Sequence, residues 1–351
     1  MSRAHLHRSR PLWSRRRFQL QGLSALGAAV FGSLLPAARA EAADEATGVA
    51  DGAERYVGLE TDKHLGPVEV VADVASMGDE QTFTEGPAVA PDGTVYFTNV
   101  AAEKIYRWRG GGKLELFRER TNKANGLLFD PRGRLLVCEG GAGCVTRLDL
   151  ESGKREVLAD AFEGKPLAAP NDLVLTKHGQ LFFSSRPGSE QTNPNAVYRL
   201  DPDGTLHQLL KSPEVHMPNG MGVSPDGRTF YLIEAHPDEG RHRDVRAFAL
   251  DDRGQLSQQR VLVNFYPGRS GDGMCVARDG RLLIAAGLHA RRNTSETLDT
   301  RPGIHVISPQ GVWLGWRETP EDTLTNCAVD DQRGWLYATC RGKLLRMKLH
   351  S

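Results

Sequence analysis

Six side chains in this 351-residue sequence share a chemistry and a spacing. Glu85, Asn125, Asn171, Asn219, Asp272 and Asn326 each carry a side-chain oxygen, and each stands eight residues before a glycine (Gly93, Gly133, Gly179, Gly227, Gly280 and Gly334). Asn, Asp and Glu together make up 54 of the 351 residues. A sixfold match in one column therefore arises by chance about once in a hundred thousand trials, which makes the column a feature to be explained. Asn-Gly and Asp-Gly are common turn dipeptides, so any one of these pairs alone reads as a turn. In phase, the six instead read as oxygens converging on one place. An all-oxygen set suits a hard cation, Ca²⁺ or Mg²⁺, and disfavours soft-ligand metals. Glu85 and Asp272 are its only charged members, and together they balance one divalent charge. Four of the six are followed by glycine (Gly86, Gly126, Gly220 and Gly273), which lets backbones approach one another there.

The elements that position this column repeat with it. Each glycine lies in a turn between two strand-like runs, as in VAPDGTVYFTN, LTKHGQLFFSS and ARDGRLLIAA, and the glycines recur at steps of 40 to 54 residues. Runs rich in apolar residues on both sides of a glycine turn signal a hairpin. Two more strand-like runs follow each hairpin, giving four strands per repeat and six repeats. The expected fold is an all-β six-bladed propeller. The sixth repeat reaches the end of the sequence with three strands, and Val68–Ala72 is expected to supply its fourth and close the ring. The core domain is read as 66–351, preceded by a disordered acidic tether at 41–65.

Residues 1–40 read as a targeting segment. They contain a twin-arginine run (Arg15-Arg16-Arg17), an apolar stretch from Leu23 to Leu35 and a small-x-small cleavage site at Ala38–Ala40. Export to the periplasm or beyond is the expectation, and the apolar stretch is too short to span a bilayer. Seven arginines and no acid lie in this segment, so the remainder holds 37 basic against 44 acidic side chains, a formal charge of −7. That balance argues against a nucleic-acid partner. Of the five cysteines, Cys138 and Cys144 are placed to form an optional disulfide across adjacent strands. Cys275, Cys327 and Cys340 read as buried thiols, and no pair has zinc-site spacing.

The stretches Glu85-Gly86-Pro87, Lys123-Ala124-Asn125-Gly126-Leu127, Pro170-Asn171-Asp172, Pro218-Asn219-Gly220-Met221, Gly271-Asp272-Gly273-Met274 and Thr325-Asn326-Cys327 resemble the regucalcin/gluconolactonase family of six-bladed propellers. The resemblance implies one divalent cation, usually calcium, held by Glu85, Asn171, Asn219 and Asp272, with Mg²⁺, Mn²⁺ or Zn²⁺ as alternatives. It implies Asn125 as a substrate contact or as a support behind the cation's ligands, and hydrolysis of a sugar lactone or related ester. Asp272 would be the general base and Glu85 mainly a ligand. Alternatively, both carboxylates are ligands and a hydroxide carried by the cation attacks. Two positions depart from the family pattern: Ala169 stands where regucalcin-like members carry an arginine, and Phe183-Ser184-Ser185 stands where gluconolactonase-like members carry Phe-Thr-Asp.

If the oxygen column starts each innermost strand, the loops that follow the second strands share its face. Those at 185–195, 235–243 and 286–302 are long, and loops on a rigid scaffold set specificity. Arg186, His236 and His289 come directly after second strands and are the expected substrate contacts. Two other functions fit the same sequence: a non-catalytic ligand- or protein-binding propeller with a structural calcium ion, and a different enzyme such as a phosphotriesterase or quinone-dependent sugar dehydrogenase.

Overall fold

The structure is a computed structural model and describes residues 54–350. The expected export leader, most of the expected tether and Ser351 lie outside the described residues. Six antiparallel four-stranded sheets follow one another along the chain. Their innermost strands are Thr84–Val89, Ala124–Phe129, Pro170–Leu175, Pro218–Val223, Gly271–Val276 and Leu324–Asp330, in blades 1 to 6. Each contacts the next, and blade 6 contacts blade 1, so the ring is closed. The expected six-bladed propeller is what the chain forms.

Local chemistry explains the repeat. All six turn glycines have positive φ, between 65° and 90°, a conformation that costs a side-chain-bearing residue energy. The second strands Leu135–Glu139, Leu181–Ser185 and Leu282–Ala286 are buried at every position because neighbouring blades cover both faces. Six apolar clusters result, one per interface: Tyr96 meets Leu127 and Val137 between blades 1 and 2, for example, and Phe182 meets Leu232 between blades 3 and 4. The ring closes where Glu69–Asp73 pairs antiparallel with Lys343–Lys348, one residue later than expected.

Two expectations are corrected. Residues 54–65, read as part of a disordered tether, pack on the outer strand of blade 5. Thr61 Oγ1 donates to Trp316 O at 2.9 Å, and the Tyr56 ring stands edge-on to Trp313 and Trp316. This segment covers an aromatic surface that the outer strand would otherwise leave to water. The Cys138–Cys144 disulfide is ruled out by register. Cys144 pairs with Glu139 and Cys138 with Val145, so the two side chains leave opposite faces of the sheet. Both are free thiols, and Cys144 Sγ lies 3.6 Å from Arg155 Nη2 on the Glu139 side.

The glycines after the column residues do what their spacing suggested. A Cβ on Gly86 would lie 2.2 Å from Asn125 O; on Gly126, 2.7 Å from Asn171 O; on Gly220, 2.7 Å from Asp272 O; and on Gly273, 2.0 Å from Asn326 Oδ1. Each glycine thus lets its strand touch the column residue of the next blade. Gly220→Ala should force the inner strands of blades 4 and 5 apart at a cost of about 1–3 kcal/mol or more, read as a lower midpoint in denaturant.

Candidate active site

Five of the six column residues line one cavity. Its volume is about 460 Å³, and Glu85, Asn125, Asn171, Asn219 and Asp272 form its floor at the channel mouth. Backbone irregularity aims them. In blades 1 to 5 the pairing of innermost and second strands slips between the column segment and the residues after it, as between Pro170 and Leu173 or Gly271 and Met274. Such a bulge turns side chains out of the alternating pattern and towards the axis. In blade 6 the slip falls one residue earlier, between Leu324 and Asn326. Asn326 therefore leaves the ring of oxygens and lines a deeper channel of about 270 Å³. There its Nδ2 donates to Asp172 Oδ2 at 3.1 Å.

The electrostatics of the floor are unbalanced. Glu85 is 4% exposed and accepts one hydrogen bond, from the N–H of Gly86 at 3.2 Å. Burial, then the neighbouring Asp272 and Asp172, pushes its carboxyl well above the ordinary range. Burial likewise raises Asp172 to about 7. Asp272 is held from two sides: Asn219 Nδ2 donates to Oδ1 at 2.5 Å, and Arg269 Nη2 donates to Oδ2 at 2.5 Å. Asn125 and Asn171 make no side-chain hydrogen bond to the described residues. Among those residues, no three His, Cys, Asp or Glu side chains converge as a ligating group. The set is instead two carboxylates with amide oxygens, the composition of a hard-cation site. A buried, poorly hydrogen-bonded carboxylate beside uncommitted amides fits a divalent cation, because burying an uncompensated charge is costly.

The cavity wall comes from the expected face. Val100, Gly140, Arg186, Pro237 and Arg292 reach it from the loops after second strands, and Ala235 from the end of one. Arg186 is at the cavity as expected, with its Nη2 4.0 Å from Asp272 Oδ1. His236 and His289 are not. Ala235 and Pro237 line the cavity while His236 between them turns outward, where its Nδ1 accepts the N–H of Asp238 at 3.2 Å. His289 lines a separate depression on the rim of blade 5 and bonds Thr319 O at 2.9 Å. Position after a strand locates a loop, but alternation along the loop decides which way a side chain faces.

Sequence reasoning missed Arg269, Asp172 and Arg243. Arg269 lies three residues before Asp272, and an arginine one turn of loop from a candidate carboxylate was the available signal. Arg243 is 1% exposed and donates to the carbonyls of His236, Pro237, Asp238 and Pro267. Its contact with Ser295 also ties the blade 5 loop to this cluster. Arg243→Ala would leave several part-buried carbonyls without their donor, at a total cost of about 1–3 kcal/mol. It should lower the melting temperature markedly and increase hydrogen exchange in residues 236–242 and 287–302.

Residues 83–341 match the family described as SMP-30/Gluconolactonase/LRE-like region. The chain belongs to this family. Among curated relatives, a gluconolactonase from Zymomonas mobilis subsp. mobilis is 24% identical over 313 residues, covering 80% of this chain and 81% of that one. A regucalcin from Danio rerio is 28% identical over 205 residues, covering 55% and 64%. Among solved structures, a gluconolactonase from Xanthomonas campestris superposes with a TM-score of 0.65 at 28% identity, covering 81% of this chain and 95% of that one. Membership supports lactone hydrolase activity. No helix among the described residues is long and apolar enough to cross a membrane.

Proposed function

We propose that this protein is a divalent-cation-dependent lactonase acting on a sugar lactone or related ester, with Ca²⁺ as the cation. The observation that carries the reading is Glu85, a buried carboxylate with a single hydrogen bond among the described residues, lining an open cavity with Asp272 and with amides that have no side-chain partner among those residues. Glu85, Asn171, Asn219 and Asp272 would hold the cation. When bound, it supplies Lewis-acid polarisation of the lactone carbonyl. A cavity of about 460 Å³ is within the range of sites for small molecules.

The protein's own groups do the rest. Arg269 and Asn219 fix the Asp272 carboxylate from both oxygens, so it meets an attacking water in one orientation. Asp272 takes a proton from that water as the water oxygen bonds to the carbonyl carbon. The ring C–O bond then breaks, and the departing ring oxygen takes the proton back from Asp272. One water is consumed and one hydroxy acid released. Asn125, whose amide has no partner among the described residues, would bond a ring substituent.

A second reading, a ligand-binding propeller with a structural ion, draws support from Arg269, which already occupies one Asp272 oxygen. A pH-indicator assay of full-length protein against aldono-, γ- and δ-lactones separates the two. Acid release on the panel supports the lactonase. Cation binding with no acid release supports the binding protein. Twin-arginine export is also proposed, and N-terminal sequencing of protein recovered from outside the cytoplasm tests it: a start at Glu41 agrees and an intact leader does not.

A further inference from the structure

The cavity's charges divide into two groups. Near the floor, Arg269 is committed to Asp272. On the rim, Arg292 donates to Thr323 Oγ1 at 2.9 Å and lies 3.8 Å from Asp322. Two lining cations are less committed. Lys123 is exposed at the cavity mouth, and its ammonium makes no hydrogen bond or ion pair among the described residues. Among the described residues Arg186 has no carboxylate nearer than Asp272 at 4.0 Å, and its Nε is buried without a hydrogen-bond partner.

Both arise on the same wall. The N–H of Arg186 donates to Ala169 O at 3.0 Å. A Cβ placed on Gly140 would lie 3.5 Å from Lys123 O and 3.7 Å from Ala169 Cβ. Lys123 is delivered there at a cost, since Asn122 and Lys123 are consecutive non-glycine residues with φ of 53° and 51°. Asn122 Nδ2 holds this turn by donating to Glu139 Oε2 at 2.7 Å. Left-handed backbone at two successive side-chain-bearing residues persists only where surrounding contacts enforce it, and it concentrates at functional sites.

We infer that the lactone opened here carries an additional anionic group, a carboxylate or a phosphate, and that Lys123 and Arg186 bind that group on the blade 2–3 wall. This inference rests on the lactonase reading. A guanidinium offers paired donors that match an oxyanion, and a lysine adds a point charge. A half-buried arginine and an exposed lysine at the mouth of one cavity also draw an anionic substrate inward. The competing role for Arg186 is counter-charge to the floor carboxylates, which would affect every substrate equally.

The test uses full-length, Ca²⁺-supplied protein and three lactones matched in ring: a glucono-lactone, its 6-carboxylate analogue and its 6-phosphate. In the wild type, kcat/KM for one anionic lactone should exceed that for the neutral lactone by about tenfold or more, through KM, and the excess should shrink as salt rises. Whichever anion is favoured identifies the group. Lys123→Met and Arg186→Gln should each lower the anionic-to-neutral ratio about tenfold, with circular dichroism unchanged. A wild-type ratio of one or less overturns the inference while leaving the lactonase reading intact. An equal loss on all three substrates in Arg186→Gln assigns that arginine to the floor and overturns it too. If no lactone is opened, the lactonase reading fails, and calorimetric binding of the open-chain acids decides the subsite. Tighter binding of the 6-carboxylate or 6-phosphate acid than of the plain acid, lost in both variants, supports it; equal binding overturns it.

Discussion

Asp272→Asn should lower kcat for lactone opening by about 10²–10⁴-fold, the usual loss when a positioned general base is removed. Asparagine keeps the size of the side chain and an oxygen for Arg269 or Asn219. What it loses is the negative charge, and with it the ability to accept a proton from water and half the formal charge available to a cation. Arg269 is 7% exposed and would lose its counter-charge, so a stability loss on the order of 1–3 kcal/mol should accompany the change. Kinetics and denaturant midpoints measured on the same preparation keep the two effects apart. A folded Asp272→Asn variant retaining most of its kcat would remove Asp272 from the proton transfer.

Glu85→Gln should have opposite effects on stability depending on the cation. In cation-free wild-type protein the Glu85 carboxylate is buried, accepts one hydrogen bond and faces Asp272 and Asp172. Neutralising it should stabilise the chelated protein by on the order of 1–4 kcal/mol, as replacement of a buried ionic group by a neutral one often does. With Ca²⁺ at a hundred times its dissociation constant, the wild type should gain about 2.7 kcal/mol and Glu85→Gln far less. The order of melting temperatures should therefore reverse between chelator and calcium. If Glu85→Gln destabilises both forms equally, Glu85 is a packing residue and the cation lies elsewhere.

Much of this was legible in the sequence because the fold repeats. Six glycine turns at regular steps define the blades, and the eight-residue offset locates the channel mouth. The repeat also marks where reasoning by phase fails. Asn326 sits in the right column, but its blade places the bulge one residue early, a shift that side-chain identity does not encode. His236 fails because an extended loop alternates, and His289 because its loop runs onto the outside of blade 5. Arg269, Arg243 and Lys123 lie outside the column, so the pattern that found Glu85 and Asp272 is blind to them. The packing of residues 54–65 depends on Trp313 and Trp316, more than 250 residues later in the chain. The Cys138–Cys144 pairing was decided by register, since a one-residue offset in an antiparallel pair moves a side chain to the opposite face.

The most direct test follows one preparation through one titration. Chelated protein receives Ca²⁺ stepwise while lactone opening is followed by acid release, and the same titration is repeated in a calorimeter. One cation per chain should bind, the rate should rise from near zero with the same midpoint, and both responses should vanish in Glu85→Gln. A full rate in the chelated protein, or calcium binding that Glu85→Gln leaves unchanged, would contradict the account.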